Sequence, residues 1–324
     1  MVEGLPEGFV ARPVTVAEAA LVAGLMAESS RAVIGEDDVT VDEVRERLER
    51  SGFDPARDAV LVLDSEQSPV GYSDAFDEHP EQAEIDVYVS PALPDADFHR
   101  LGAWLTERVL RRVEEFVNES GRADIRTGTG CYRSEARLAN VLQAAGLVHN
   151  RVFWWMRVEL DDRHLSVEPP PASLTIRAVD ESKRAELELL HRLETESFRE
   201  HFETVEFSFE QFCEHVLMSV YVDPSLWWVA EVDGKPAGFL MGDGRRRELG
   251  GGWVRSVGVL MEFRGRGVAR ALLTHSFAEF RRRGLTHVML GVDSENTTGA
   301  TRLYESVGLK PQTVIDSYSI TLPR

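Results

Sequence analysis

The pattern of apolar and polar positions predicts the same series of elements twice along the chain. Each series begins with a short strand carrying Arg-x-Val, at 12–14 and at 177–179, and continues into a helix with apolar residues at helical spacing. A hairpin follows at 59–73 and at 226–242, where two apolar strands flank a polar turn. Both halves are therefore predicted to begin as mixed α/β structure.

The two halves also continue alike. A strand is predicted at 84–90 and at 253–260, and each is followed by a long amphipathic helix, a strand, a short helix ending in Gly-Leu and a last strand. The offset between matched landmarks is nearly constant, which predicts an internal duplication. Each copy is expected to be an α/β domain with a central sheet flanked by helices. Two unrelated α/β domains are the alternative.

The segment 161–173, DDRHLSVEPPPAS, separates the two copies. It has no apolar periodicity and holds three consecutive prolines, so an extended, semi-rigid linker is predicted. The predicted domains are therefore 1–160 and 174–324.

Composition narrows the function classes. The net charge of −19 makes a nucleic-acid partner unexpected, because an acidic surface repels phosphates. The apolar runs are too short to cross a membrane, and the N-terminus lacks the basic and apolar pattern of a secretory signal, so a cytoplasmic protein without a membrane partner is expected. Two cysteines, without the Cys or His spacing of a zinc site, predict neither a disulfide framework nor a metal.

Candidate chemistry lies in the second half, where a strand ends near Val259 and an Arg-Gly-Arg-Gly turn at 264–267 leads into a helix beginning at about Val268. Glycine permits positive φ and a close approach of the backbone. The first amides of a helix lack internal partners and point, with the helix dipole, at a spot that favours an anion. The turn therefore predicts a pyrophosphate site, and a helix start that merely needs glycine is the alternative.

A second motif follows at 296–309. On a helix, Ala300, Leu303 and Tyr304 share one face through their spacing of three and four residues. A tyrosine hydroxyl at a helix end can donate a proton to a leaving group. A half-buried structural tyrosine is the alternative reading of Tyr304.

With these two motifs the second half resembles the Gcn5-related N-acetyltransferase (GNAT) family. The family pattern Arg/Gln-x-x-Gly-x-Gly/Ala is matched by Arg264, Gly267 and Ala269. The pattern Asn-x-x-Ala/Gly-x-x-Leu-Tyr-x-x-x-Gly-Phe is matched, with Leu309 in place of Phe, by Asn296, Gly299, Leu303, Tyr304 and Gly308. The tandem arrangement is similar to that of the mycothiol synthases, and the resemblance implies a mixed, mostly antiparallel sheet in each domain.

The resemblance also implies an activity: transfer of the acetyl group of acetyl-CoA to the primary amine of a small molecule, by direct attack in a ternary complex. Tyr304 would protonate the departing thiolate. The residues implied to bind acetyl-CoA are Val257, Val259, Arg264, Gly265, Arg266, Gly267, Val268, Ala269, Arg270 and Asn296. No metal is implied.

The general base is left open. Many family members carry a Glu on the fourth strand, but the matching position holds Arg255, and a cation cannot accept the proton. Near the acceptor, His201, Glu203 and Glu206 are the candidates. Arg255 is expected to pair with a carboxylate or phosphate of the acceptor, and a surface ion pair with Glu248 is the alternative.

The first half lacks these features. Its loop at 89–99 has no Gly-x-Gly, Pro91 and Pro94 remove amide donors, and Leu142 stands where the second half has Tyr304. Residues 1–160 are therefore predicted to fold like an acetyltransferase without binding acetyl-CoA, and to help wall the acceptor site.

Other functions stay open at this point. The chain could be an acyl-CoA-binding regulator without turnover, an enzyme for longer acyl chains, or an enzyme that acetylates a cysteinyl sugar as the mycothiol synthases do. The acidic first half favours cationic acceptors, whereas Arg255 favours anionic ones. A monomer and a homodimer are both compatible with the sequence.

Overall fold

The structure is a computed structural model. It describes residues 4–79, 82–166, 170–199, 207–217, 219–295 and 299–324. The strands are β1 (Val10–Arg12), β2 (Ala59–Leu63), β3 (Pro69–His79), β4 (Gln82–Val89), β5 (Asp124–Tyr132), β6 (Val148–Glu159), β7 (Leu174–Ala178), β8 (Val222–Val232), β9 (Lys235–Asp243), β10 (Gly251–Val259), β11 (His287–Asp293) and β12 (Lys310–Pro323). The helices are α1 (Ala19–Ile34), α2 (Val41–Glu49), α3 (Pro55–Asp58), α4 (Asp95–Ser120), α5 (Ala136–Ala144), α6 (Arg184–Phe198), α7 (Phe209–Leu217), α8 (Val268–Arg282) and α9 (Ala300–Ser306). Within these ranges no helix combines the length and the apolar character that crossing a bilayer requires.

The first compact unit comprises residues 1–152 and 313–324. Its strands lie in the order β1-β2-β3-β4-β5-β12, and the pairs are antiparallel except for the parallel pair β4–β5. One face packs against α4 and α5 through residues such as Leu101 and Val113, and the other against α1 and α2 through Val22 and Leu48. Because both faces are covered, all five residues of β2 are buried.

The second compact unit comprises residues 153–312. Its strands lie in the order β6-β11-β10-β9-β8-β7, with β10–β11 as the parallel pair. Helix α8 covers one face with Leu272 and Phe277, and α6 and α7 cover the other with Leu190 and Phe212. The predicted mixed α/β architecture, with helices on both faces of a mostly antiparallel sheet, is confirmed.

The ends of the two units differ from the predicted boundaries at 160 and 174. The first unit takes its last strand from the end of the chain, where β12 pairs with β5 from Ile315↔Tyr132 to Pro323↔Asp124. Residues 153–159 pair with β11 in the second unit. Strand partners form over long sequence separations, so the local apolar pattern that predicts a strand does not name its neighbour.

The predicted linker at 161–173 is also shorter than expected. Residues Asp162–Leu165 form a short 3-10 helix. His164 packs edge-on against Phe277 of α8, with 6.2 Å between ring centroids, and Arg281 donates to Asp162 at 2.9 Å. These contacts belong to the second unit, so the first part of the segment is folded.

Candidate active site

The second unit contains a gap between two parallel strands. β10 pairs with β11 only at Gly251, Gly252 and Trp253, whereas its antiparallel pairing with β9 continues to Val259. From Val254 onward, β10 therefore forms no strand pair with β11 in the described sheet.

The hydrogen-bond pattern fixes which groups of β10 face this gap. Leu260 donates its main-chain N–H to the carbonyl of Ala237 at 2.9 Å, in register with the pair Val259↔Gly238. In an antiparallel pair the residues alternate between bonding the partner strand and facing away from it. The main-chain groups of Val257 and Val259 consequently point away from β9, toward the β11 side.

At the mouth of the gap, the glycine turn has the predicted geometry. Gly265 and Gly267 have φ of +75° and +79°, a region that side chains with a Cβ adopt only at a cost. A Cβ built on either residue would meet no atom within 4 Å, so open space lies beside the turn. These glycines are required by backbone conformation, and they leave room for a ligand.

The turn leads directly into α8, which begins at Val268 as predicted. Ala271 donates the first helical hydrogen bond, to the Gly267 carbonyl at 3.0 Å. Among the described residues no side chain caps this helix start. The amides of Val268, Ala269 and Arg270 thus have no helical acceptor, and their dipoles favour an anion beside the turn.

The three arginines of the turn have different contacts. Arg264 donates to the carbonyls of Val259 at 3.3 Å and Ser197 at 3.2 Å, which joins the end of β10 to the end of α6. Arg270 donates to the carbonyl of Ser306 at 3.1 Å and so links the start of α8 to α9. Arg266 is exposed and lies over the ring of Phe263. The side chains of Arg264 and Arg270 therefore fix the elements around the turn.

Tyr304 lies on α9, as the spacing predicts, and its residue surface is 8 % exposed. It belongs to the same apolar cluster as Val268, and the hydrogen bond from Arg270 to Ser306 places α9 beside the start of α8. Burial raises the pKa of Tyr304 to about 12. Within the described part of the chain its hydroxyl has no hydrogen-bond partner, so the phenol is neutral and its proton is available.

Arg255 occupies a bulge in β10. The register with β9 shifts between Val254 and Ser256, which leaves Arg255 as the extra residue. A bulge redirects the side chain of the inserted residue, and it brings Arg255 into the electrostatic surroundings of two acids on neighbouring elements, Glu194 of α6 and Asp243 of β9.

Glu248 is exposed on a short 3-10 turn, whereas Glu194 and Asp243 are the acids whose pKa the charge of Arg255 lowers. For both carboxyls burial is the larger effect, and the pKa is raised overall.

Glu194 is the site residue that the sequence analysis missed. It lies at the end of a predicted amphipathic helix, where a glutamate is ordinarily a solvent-facing residue. Its burial follows from the packing of α6 against β10, and the local pattern contains no signal for that contact.

Four predicted site residues lie outside the part of the chain that the structure describes: Asn296, His201, Glu203 and Glu206. The described part of the chain contains no group of three or more His, Cys, Asp or Glu arranged to hold a metal ion.

The loop of the first unit is closed by its own side chain. Pro94 precedes α4, whose first turn carries Asp95 and Asp97. Arg137 donates to the carbonyls of Pro91 at 2.8 Å and Leu93 at 3.0 Å, and its guanidinium lies over the ring of Phe98. Arg137 thus binds the carbonyls of this loop, and the first turn of α4 carries two carboxylates that would repel a diphosphate.

Comparison with known proteins indicates the class. Residues 187–309 match the model of the acetyltransferase (GNAT) family, a range that contains the gap, the glycine turn and Tyr304. This match shows that the second unit is similar to the acetyltransferase (GNAT) family, and the structures below show that the chain shares the fold of GNAT proteins.

The relatives are more specific. A mycothiol acetyltransferase of Thermobispora bispora is 32 % identical over 182 residues, which cover 54 % of this chain and 59 % of that protein. The match thus spans about three fifths of that relative's length. A GCN5-related N-acetyltransferase structure from Sphaerobacter thermophilus is 27 % identical, with a TM-score of 0.81, and covers 99 % of this chain and 98 % of its own.

A tandem GNAT protein from the clavulanic acid biosynthesis pathway shares the fold at 13 % identity. Its TM-score is 0.71, with 97 % of this chain and 98 % of that chain covered. The fold of this chain is therefore shared by that tandem GNAT protein over nearly the full length.

Proposed function

We propose that the second unit transfers the acetyl group of acetyl-CoA to the primary amine of a small molecule, by direct attack in a ternary complex. The observation that carries this proposal is the gap between β10 and β11, with the main-chain groups of Val257 and Val259 facing it. The uncapped start of α8 follows the end of β10, and α9, which carries the buried Tyr304, is joined to that helix start by the Arg270–Ser306 hydrogen bond.

The residues fit the parts of acetyl-CoA in order. The amides of 265–270 offer donors and a positive dipole to the diphosphate. The unpaired strand edge offers N–H and C=O groups to the amides of the pantetheine arm, as a neighbouring strand would. Acetyl-CoA supplies the activated thioester, and this chain then has to orient the reactants and move two protons.

Tyr304 supports one of those proton movements. As the new C–N bond forms, the C–S bond breaks, and the sulphur takes up a proton or a strong hydrogen bond. A phenol with a pKa of about 12 is neutral at physiological pH, so its hydroxyl is always ready to donate. The apolar packing around it strengthens that hydrogen bond by excluding water.

The proposed class of acceptor is based in part on the similarity to known proteins. Similarity to a mycothiol acetyltransferase favours the amine of a cysteinyl sugar as the acceptor. The −19 net charge favours cationic amines through long-range attraction. We propose a small-molecule amine and rank the cysteinyl sugar first among its forms.

A direct assay tests the proposal. Acetyl-CoA is mixed with a panel of amines that includes a cysteinyl sugar, and CoA release is followed as free thiol and the product by mass. Tyr304→Phe is expected to lower kcat by about 10²- to 10⁴-fold while leaving the KM for acetyl-CoA unchanged.

Two results would refute the proposal. Tight CoA binding without turnover on any amine would favour a regulator that binds acyl-CoA. Preference for a longer acyl-CoA over acetyl-CoA would contradict the acetyl assignment.

The first unit is proposed to act as a structural partner without a cofactor. The closure of its loop by Arg137 and the prolines at 91 and 94 support this role. Its contribution would then be to folding.

A further inference from the structure

The half-buried Glu194 carries a carboxyl group on the α6 side of β10. Glu194 is in the last turns of α6, which packs against β10 and β9. Ser256, the residue after the bulge, donates a hydrogen bond from its side chain to the Glu194 carboxylate. The helix and the strand segment that faces the gap are thus connected at this pair.

The next turn of α6 keeps the helix close to the strand. A Cβ on Gly258 would come within 2.7 Å of the Ser197 Cβ, so only glycine permits this approach. Arg264 donates to the Ser197 carbonyl and to the Val259 carbonyl. Glu194 is therefore held near the part of β10 that carries Val257 and the proposed thioester position.

Folding alone gives no reason for the carboxylate at this place. Glu194 takes part in no ion pair within 4 Å in the described ranges. Arg255 of β10 and His191 of α6 are the charged or titratable groups that act on it there, and both lower its pKa. Burial outweighs them and raises the pKa overall. Burying a carboxyl in this way costs free energy and is typical of functional sites.

The residues around Glu194 are compatible with a carboxyl group that gains and loses a proton. The His191 ring hydrogen-bonds the Phe207 carbonyl at 2.8 Å, so its orientation is fixed within the α6–α7 side. The charge of Arg255 also lowers the pKa of Asp243 in β9, so Arg255 affects two carboxyl groups. Ser256 orients the Glu194 carboxylate without neutralising it.

We propose that Glu194 is the proton acceptor for the attacking amine, the role that Arg255 on the strand cannot fill. This assignment rests on the acetyltransferase function proposed above. The nitrogen lone pair forms the C–N bond to the acetyl carbon, and the N–H proton passes to the Glu194 carboxylate. The leaving thiolate takes the proton of Tyr304. The Glu194 carboxylic acid then releases its proton to water and the Tyr304 phenolate takes one from water, so protons and charges balance and both residues return to their starting forms.

The experiment compares Glu194→Gln with Glu196→Gln. The control removes an exposed carboxylate from the same helix, two residues further on. Each variant is assayed with a strongly basic primary amine and with a weakly basic one, such as a hydrazide, across pH 5 to 9. CoA affinity is measured by calorimetry and folding by thermal melting.

For Glu194→Gln we expect kcat/KM with the strongly basic amine to fall about 10²- to 10⁴-fold. The loss with the weakly basic amine should be at least tenfold smaller, because its nitrogen releases a proton to water readily once it is bonded to carbon. The weakly basic amine is neutral throughout the pH range, so the fall in rate toward low pH seen with the wild type should disappear in the variant. CoA affinity should stay within about twofold, and Glu196→Gln should behave as wild type.

Equal losses with both amines, or a retained low-pH fall, would overturn the assignment of Glu194 while leaving acetyl transfer intact. If Glu194→Gln melts well below the wild type, Glu194→Asp is assayed in its place. A reduced kcat/KM that still falls toward low pH supports Glu194 as the proton acceptor. An unchanged kcat/KM overturns that assignment. Absence of turnover by the wild type with every amine would overturn the proposed function, and this assignment with it.

Discussion

A single proline tests whether main-chain donors at the start of α8 hold the diphosphate of CoA. In Ala269→Pro the amide of the second helical residue disappears, while proline is tolerated within the first turn because that N–H has no helical acceptor. The substitution therefore removes one proposed ligand contact and no hydrogen bond of the fold. Ala269→Ser is the matched control, since it keeps the N–H at the same position.

The size of the effect follows from the number of donors removed. One hydrogen bond to a charged group contributes about 1.5–3 kcal/mol. At about 1.4 kcal/mol for each factor of ten, Ala269→Pro should weaken CoA binding about 10- to 100-fold. The preference of the residue before proline for an extended conformation strains Val268 slightly, so a fall in Tm of no more than about 4 °C is expected for a unit of this size.

Calorimetry with CoA measures the affinity, and inhibition by pantetheine, which lacks the diphosphate, serves as the internal reference. The ratio of CoA to pantetheine affinity should fall in Ala269→Pro and stay constant in Ala269→Ser. If the folded proline variant binds CoA within twofold of wild type, the diphosphate does not lie on these amides.

Four shorter predictions concern other parts of the chain. Gly267→Ala should lower the free energy of unfolding by about 1–2 kcal/mol, because φ at this residue is +79°; an unchanged urea midpoint would contradict the strain. Asp58→Ala should lower the free energy of unfolding by about 1.5–3 kcal/mol, because the Nε of Arg112 loses its partner at 2.7 Å while Nη1 keeps Glu115, and urea denaturation tests this. Titration of the whole chain should give one CoA per chain, and Arg137→Ala should give no second site; two equivalents would contradict the closed loop. Burial raises the pKa of Tyr304 to about 12, and a donor is lost only as the pH rises through its pKa, so kcat should show no fall due to this residue between pH 8 and 10.

Much of the fold was predictable because its elements have strong local patterns. The long helix α8 begins at Val268, where the glycine turn ends, and the hairpin at 226–242 contains the turn between β8 and β9 as predicted. These features depend on residues that are neighbours in sequence: positive φ at glycine, and apolar residues at a period of two or 3.6.

The sequence did not indicate which strand pairs with which at the ends of the units. β12 lies beside β5, more than 180 residues earlier in the chain. Any strand with the same alternation could fill that edge as far as local pattern is concerned, so the choice depends on the complete three-dimensional register. The ends of the two compact units differ from the predicted bounds at 160 and 174 for this reason.

The same limit explains the site. The glycine turn and Tyr304 carry motifs, because a conformation or a helical face demands particular residue types. Glu194 carries none: a glutamate is common on any helix, and this one becomes buried only because Gly258 and the bulge at Arg255 let α6 approach β10. A residue whose environment is made by a distant strand cannot be recognised from its neighbours in sequence.

The two units together show how few positions separate a closed loop from an open one in this fold. Both units splay their parallel strand pair after three residues, β4 from β5 and β10 from β11, so the gap itself belongs to the common architecture. In the second unit, Gly265 and Gly267 leave open space beside the turn. In the first unit, the guanidinium of Arg137 donates hydrogen bonds to the carbonyls of the loop. The splay thus belongs to the sheet, and on the function proposed above the turn beside it would decide which unit binds acetyl-CoA.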